Sequence, residues 1–172
     1  TGAAGFVGHH LCEHLLRAGW HVLGVDRLTR FTPRAEKLRR VRALGDWDTF
    51  RFSPADLVHA RLDGLLDGVD AVFHLAGQPG VRDSYGDGFD LHLRDNVQAT
   101  RALADALARR DAPARLAMTS TSSVYGDAPP PFREEGPTRP RSPYGVSKLA
   151  AEGLARCLVD GHPVELVVVR LF

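Results

Sequence analysis

Tyr144 and Lys148 stand four residues apart in a stretch that reads as helix, so both side chains lie on one face and can meet at a single site. Tyrosine ordinarily ionises at about pH 10, too high to serve as a base, but a nearby ammonium favours the phenolate and pulls that value toward neutrality. Such a pair would accept the proton of a hydroxyl group being oxidised. A tyrosine and a lysine at this spacing are common on any exposed helix, so the pair takes its meaning from its company. That company is Thr1-Gly2-Ala3-Ala4-Gly5-Phe6-Val7-Gly8, whose glycines have the spacing of a phosphate cradle between a strand and a helix.

In such a cradle one glycine permits the tight turn, one lets the backbone approach a pyrophosphate, and one lets the following helix pack closely. The phosphates then meet free amides at the positive end of the helix. Val7, Leu11, Leu15 and Ala18 fall at helical spacing, and Gly19 is placed to stop the helix. The apolar strand Val22-Leu23-Gly24-Val25 follows and ends in Asp26. An acid roughly 20 positions past the glycines is expected to accept hydrogen bonds from the adenine-side ribose and to repel the extra phosphate of NADP. NAD is therefore the cofactor read, with Arg27 and Arg30 pulling the other way because an arginine there accommodates a phosphate. The spacing Gly-x-x-Gly-x-x-Gly departs from the commoner Gly-x-Gly-x-x-Gly. The helix and acid-ended strand behind it raise it above three turn glycines.

The elements that must position these groups alternate along the chain. Residues 34 to 44 read as helix, Thr49-Phe50-Arg51-Phe52 as a short strand, and a leucine-bearing helix over about 57 to 66 ends at Gly68. Ala71-Val72-Phe73-His74-Leu75 is an apolar run of the kind buried on both faces in a parallel sheet. A long helix over about 89 to 109 places Leu93, Val97, Ala104 and Leu107 on one face. The strand Leu116-Ala117-Met118-Thr119, a helix over about 144 to 160 and the strand from Val164 to Val169 complete the series. This is the pattern of an α/β doubly wound parallel sheet, in which right-handed crossovers leave little freedom of winding. Between Gly126 and Tyr144 lie six of the 11 prolines, a rigid loop long enough to read as functional.

Composition sets looser bounds. The length of 172 residues suits one domain with a real core, and a net charge of +1 gives no electrostatic case for nucleic acid or an anionic membrane as partner. Cys12 and Cys157 lie far apart inside helical stretches, which suggests neither a disulfide framework nor a metal site and fits a reducing cytoplasm. No apolar run approaches the roughly 20 residues of a membrane span. The eight histidines are scattered, with His9 and His10 on different helix faces, and read as surface or boundary residues.

Taken together, the residues resemble a known family. Thr1 to Gly8, Asp26, Ala55-Asp56-Leu57, His74-Leu75-Ala76-Gly77-Gln78, Asp95-Asn96-Val97, Ser122-Ser123-Val124-Tyr125-Gly126 and Ser142-Pro143-Tyr144-Gly145-Val146-Ser147-Lys148 are similar to motifs of the extended short-chain dehydrogenases, in particular the NAD-dependent nucleotide-sugar epimerases and dehydratases. The resemblance covers the whole chain and implies a Rossmann fold. It implies that Gly2, Gly5, Phe6, Val7, Gly8, Asp26 and Arg27 contact NAD, that Asp56 and Leu57 flank its adenine, and that Leu75, Ala76 and Gly77 line it farther along. Asn96 resembles the family's asparagine that reaches the cofactor site from the long helix; the alternative is a polar residue facing solvent. Thr121 matches the hydroxyl residue beside the catalytic tyrosine, an assignment that depends on register because Thr119, Ser120, Ser122 and Ser123 also carry hydroxyls. Lys148 would also bind the nicotinamide ribose.

The resemblance also narrows the reaction. Related 4,6-dehydratases carry an Asp-Glu pair directly after the hydroxyl residue, where this chain has Ser122 and Ser123, so epimerisation at carbon 4 of a nucleotide sugar leads over dehydration. The stretch Gln78-Pro79-Gly80-Val81-Arg82-Asp83-Ser84 resembles a substrate-side loop of epimerases acting on UDP-glucuronate. Gln78, Arg82 and Ser84 are thus substrate-contact candidates. Arg82 reads either as partner of a sugar carboxylate or as a surface or diphosphate contact. The rivals are a net reductase of the same superfamily and a non-catalytic nucleotide-binding protein, against which Tyr144 and Lys148 argue.

A strand is expected before the glycines and a substrate domain after Phe172, so residues 1 to 172 read as a partial cofactor-binding domain. The preceding strand would lie mid-sheet, and its loss would leave two edges separated by a gap of roughly 10 Å. The piece by itself is expected not to fold stably, which a cooperative melt raised by NAD would disprove. By analogy with the family, a homodimer would form through the helices beginning near 89 and 144.

Overall fold

The computed structural model describes residues 1–29 and 32–172, so Arg30, weighed above for a phosphate, lies outside the described residues. The fold is α/β with parallel strands, as the alternating pattern requires. Its chain forms two compact units, Thr1–Ala60 with His74–Ala76, and Arg61–Phe73 with Gly77–Phe172.

In the first unit, α1 (Phe6–Arg17) is followed by β1 (Val22–Val25), α2 (Arg34–Leu44) and β2 (Phe50–Ser53). Strands β1 and β2 are parallel, with Val22 opposite Phe50 and Val25 opposite Ser53. Ala3, Cys12, Leu16, Leu44 and Phe50 form the core, and Val22, Val41, Trp47 and Phe52 pack against it. The buried stripe of α1 is Gly8, Cys12 and Leu16, one residue on from the Val7, Leu11, Leu15 stripe expected from hydrophobicity, and Val7 is half exposed. The reason is steric. A Cβ on Gly8 would stand 2.1 Å from the Gly2 carbonyl oxygen, so the helix face that approaches the chain most closely is the one with no side chain there. Gly19, at φ +85°, ends the helix as expected. The helix expected over 57 to 66 is replaced by a turn in which Asp56 accepts the Val58 N–H. Helix α3, which belongs to the second unit, occupies only Leu62–Leu65. Asp56 competes for the backbone here, as short acidic side chains do outside helices. His9 and His10, expected on different faces, have ring centroids 5.3 Å apart.

Strand β3 (Ala71–His74), which lies in the second unit up to Phe73, forms a sheet with β4 (Ala114–Thr121) and β5 (Val164–Leu171) in the order β3-β4-β5. Strands β4 and β5 run parallel from Ala114 opposite Val164 to Thr121 opposite Leu171. Side chains of β4 alternate, with Ala114, Leu116, Met118 and Ser120 buried. The long helix near 89 to 109 has three parts: α4 (Phe89–His92), a π-helical segment (Leu93–Gln98) and α5 (Ala99–Ala108). The π segment adds a residue to the turn and rotates what precedes it. Leu93, expected on the buried face, is exposed, while Asp95 and Asn96 are buried. Helix α6 (Pro143–Val159) opens with Ser142 as N-cap, whose hydroxyl oxygen accepts the Gly145 N–H at 3.0 Å, and with proline in its first turn. Met118, Ala151 and Ala155 pack there with Leu166 and Val168.

Candidate active site

The glycine loop of the first unit is fitted to its neighbours. Gly2 adopts φ +70°, and a Cβ there would lie 2.8 Å from the Ala76 nitrogen. Thr1 Oγ1 is 2.8 Å from His74 Nδ1 and accepts the Ala76 N–H at 3.2 Å. The N-cap of α1 is Gly5, which has no side chain to cap the helix, and the first turn holds no acidic residue. Its first amides therefore suit an anion such as a diphosphate. Asp26 is buried, and its carboxylate is engaged: Oδ2 accepts the Ala4 N–H at 3.2 Å, while Oδ1 accepts the Leu28 N–H at 2.7 Å and pairs with Lys37 Nζ at 3.0 Å. Asp26 thus ties the glycine loop to the end of β1. About four acceptor positions on a carboxylate leave room for a ribose hydroxyl besides these three donors. Arg27 faces Asp56 at 3.4 Å and donates to Thr29, so Asp56 is paired, and the neighbouring Leu57 is buried. Leu75 and Ala76 are partly buried in the segment after β3.

In the second unit, Thr121 ends β4, and Tyr144 and Lys148 lie on α6. Burial pushes the Tyr144 hydroxyl above its ordinary value, and a hydrogen bond with Thr121 partly offsets this by favouring the phenolate. The lowering expected from Lys148 does not set the resting value; burial does, because it penalises the charged phenolate. Thr121 also accepts the Ser123 N–H at 3.2 Å. Lys148 is 7 % exposed and makes no ion pair among the described residues. Burial lowers its pKa to about 8, with the Glu152 charge opposing the fall.

Asn96 is 1 % exposed, which removes the solvent-facing alternative. Its Oδ1 accepts the Gln78 N–H at 2.7 Å, and its Nδ2 donates to the Gln78 carbonyl at 3.1 Å and to Ser147 Oγ at 2.9 Å. Ser147 in turn donates to the Tyr144 carbonyl at 2.7 Å. Asn96 therefore braces the segment after β3 against the turn of α6 that joins Tyr144 to Lys148. Gly77 is exposed, and a Cβ there would stand 2.8 Å from Asn96 Oδ1 and 3.9 Å from Lys148 Nζ. Arg82 is exposed on the 3-10 turn Arg82–Ser84, whereas Ser84 is fully buried and gives its hydroxyl to the Val81 carbonyl at 2.7 Å. Ser84 shapes the loop and offers nothing outward.

The sequence model of the NAD dependent epimerase/dehydratase family matches residues 1–172. The chain belongs to the NAD dependent epimerase/dehydratase family. Among curated members it is 40 % identical over 173 residues to a Bacillus subtilis protein described as an uncharacterized UDP-glucose epimerase, YtcB, covering 100 % of this chain and 54 % of that one. It is 33 % identical over 176 residues to a UDP-glucuronate 4-epimerase of Thermodesulfobacterium geofontis, with coverage of 100 % and 54 %. The fold matches the crystal structure of UDP-glucuronic acid 4-epimerase from Bacillus cereus in complex with UDP-glucuronic acid and NAD, with a TM-score of 0.93, 36 % identity, and coverage of 98 % of this chain and 54 % of that one. The chain spans about half the length of the curated relatives it matches.

Several residues around this family's epimerase/dehydratase motifs escaped the sequence reading. Glu152 and Arg170 form a two-point pair, Nε to Oε1 at 3.1 Å and Nη2 to Oε2 at 2.8 Å, with the guanidinium 4.9 Å from the Tyr125 ring centroid. Burial would raise the Glu152 pKa, but Arg170 and the Ser120 hydroxyl outweigh it and hold the carboxyl low. Glu152 falls four after Lys148 on the buried stripe with Ala151 and Ala155, a signal that the sequence contained. Lys37 had no such signal. His92, read as a surface or boundary residue, is 1 % exposed, and His74, which lies in the apolar run read as buried, is also 1 % exposed.

Proposed function

We propose that this protein epimerises a nucleotide sugar at carbon 4 with NAD as cofactor, and that residues 1–172 supply its cofactor-binding and proton-transfer groups. The observation that carries the reading is the Thr121–Tyr144 hydrogen bond, with the buried Lys148, which makes no ion pair among the described residues, one turn on along α6 and Asn96 bonded to Ser147 between them. In the first unit, Gly2, Gly5, Phe6, Val7 and Gly8 would receive the diphosphate, Asp26 and Arg27 the ribose, and Asp56 and Leu57 the adenine; Leu75 and Ala76 after β3 would line the cofactor. In the second unit, Gly77, Asn96, Tyr144 and Lys148 would serve the nicotinamide end.

Tyr144 takes the proton of the 4-hydroxyl and later returns it. Thr121 holds the reacting oxygen, and the Lys148 ammonium favours the phenolate and binds the ribose. Held by the residues named above, NAD would supply a reversible hydride acceptor for carbon 4, so that the hydride removed on oxidation would be restored on the other face and no net redox would occur. Gln78 and Arg82 lie on the segment read as facing the sugar, and UDP-glucose or UDP-glucuronate is the substrate class that the relatives suggest. The same reading includes a homodimer and, with Cys12 and Cys157 both free, a cytoplasmic setting. No helix among the described residues is long and apolar enough to cross a membrane.

The test is conversion of UDP-glucose and UDP-glucuronate to their 4-epimers by the intact purified protein, with NAD retained from expression. Tyr144→Phe should lower turnover by about 10²–10⁴-fold. Unchanged turnover in that variant, or steady consumption of added NADPH, would sink the reading.

A further inference from the structure

The His92 ring is buried on α4, and its two nitrogens face two backbone carbonyls. Nδ1 is 3.0 Å from the Gly88 oxygen and Nε2 is 3.2 Å from the Gly80 oxygen. A neutral imidazole has one N–H and one lone pair, so it satisfies one carbonyl and turns its lone pair on the other. Only the doubly protonated ring donates to both. The edge of the ring also packs on Tyr144, with centroids 5.9 Å apart and planes at 74°. Gly80 and Gly88 bracket the segment that contains the 3-10 turn Arg82–Ser84. One side chain therefore reaches both ends of that segment and touches the tyrosine. Other side-chain bonds of the segment do not join its two ends: Ser84 bonds within the loop, and Tyr85 donates to the Arg141 carbonyl at 3.1 Å from an exposed position.

Resting on the reading of Tyr144 as base and of the Arg82 loop as sugar-facing, we propose that His92 is a positioning residue that clamps the Gly80–Gly88 loop beside Tyr144, at both ends only when its ring carries both protons. The charged and titratable groups on α4 and on the elements packed against it are Asp90 on α4 itself, Arg82, Asp83 and Asp87 on the two 3-10 turns, Arg94 and Asp95 on the following π segment, and Tyr144, Lys148, Glu152, Arg156 and Cys157 on α6. The clamp acts on where the loop stands. Its loss therefore weakens sugar binding more than it slows the chemistry.

The test uses the intact protein and two readouts across a series of pH values. In the wild type, amide hydrogen exchange of residues 81–88, corrected for intrinsic rates, should quicken as pH rises, and KM for UDP-glucose or UDP-glucuronate should rise with it. His92→Phe keeps the ring and removes both donors. It should abolish the pH dependence of loop exchange and raise KM by about tenfold with kcat changed less than about threefold. Loop exchange that is independent of pH in the wild type, or a fall in kcat at constant KM in the variant, overturns the proposal. Should His92→Phe fail to fold, nitrogen-resolved NMR of the wild-type ring decides: two slowly exchanging ring N–H protons at about pH 5 support the clamp, and none overturns it. A wild type that turns over neither sugar refutes the epimerase reading alone, and the exchange measurement still decides the clamp.

Discussion

A buried ammonium without an ion pair among the described residues is costly, and in the proposed reading Lys148 trades that stability for chemistry. Its value of about 8 lies below the ordinary 10.5, so between the two the unfolded chain binds the proton and the folded chain does not. The burial cost is therefore fully present below about pH 8 and fades as pH rises toward about 10.5. Lys148→Met should raise Tm at pH 7, by on the order of 1–3 kcal/mol of stability, and raise it less near about pH 10. Turnover should fall at least about 100-fold in the same variant. In the wild type, turnover should decline above about pH 8 as the ammonium that supports the phenolate is lost. Asn96 shows the opposite economy, since all its polar atoms are used inside the protein. Asn96→Ala leaves the Gln78 amide and carbonyl and the Ser147 hydroxyl short of partners, and should cost about 1–3 kcal/mol in urea denaturation.

Among the elements, the glycines of α1 and α6 make a controlled comparison. Gly8 in α1 has the Gly2 carbonyl oxygen 2.1 Å from where a Cβ would stand, whereas Gly153 in α6 has nothing within 4 Å. Gly153→Ala should stabilise the protein by about 0.5–1 kcal/mol, because only backbone entropy changes. Gly8→Ala must push α1 off the loop it rests on and should abolish NAD binding by calorimetry. Equal effects of the two substitutions would show that the loop tolerates displacement. The boundaries of α6 were legible in its serine cap, first-turn proline and run of good helix formers. The break in the long helix before it was not. A π segment is a matter of one extra residue per turn, and no local preference in Leu93–Gln98 announces it.

For the whole molecule, the family match over residues 1–172 and the parallel α/β layout agree with NAD as the ligand to test first. In the intact protein, NAD at about 100 times its Kd should add about 2.7 kcal/mol of stability and raise Tm. NADP at the same concentration should raise it less, because its extra phosphate would meet the Asp26 carboxylate, whose charge Lys37 only partly offsets. A larger shift with NADP would reverse the cofactor assignment.

The sequence by itself determined the glycine loop, the order of helices and strands, the acid at the end of β1 and the spacing of Tyr144 and Lys148. Those features are written in neighbouring residues, through periodicity, caps and turns. Only the tertiary structure decided which polar groups are buried together. Asn96 reaches a residue 18 positions back and another 51 ahead, and the Glu152–Arg170 pair joins a helix to a later strand. His92 was read with the other scattered histidines as a surface or boundary residue, because nothing in its sequence neighbours shows what packs on it; in the structure it is 1 % exposed, with its ring nitrogens facing the Gly88 and Gly80 carbonyls. Burial is a property of two surfaces that meet, and one surface alone does not contain it.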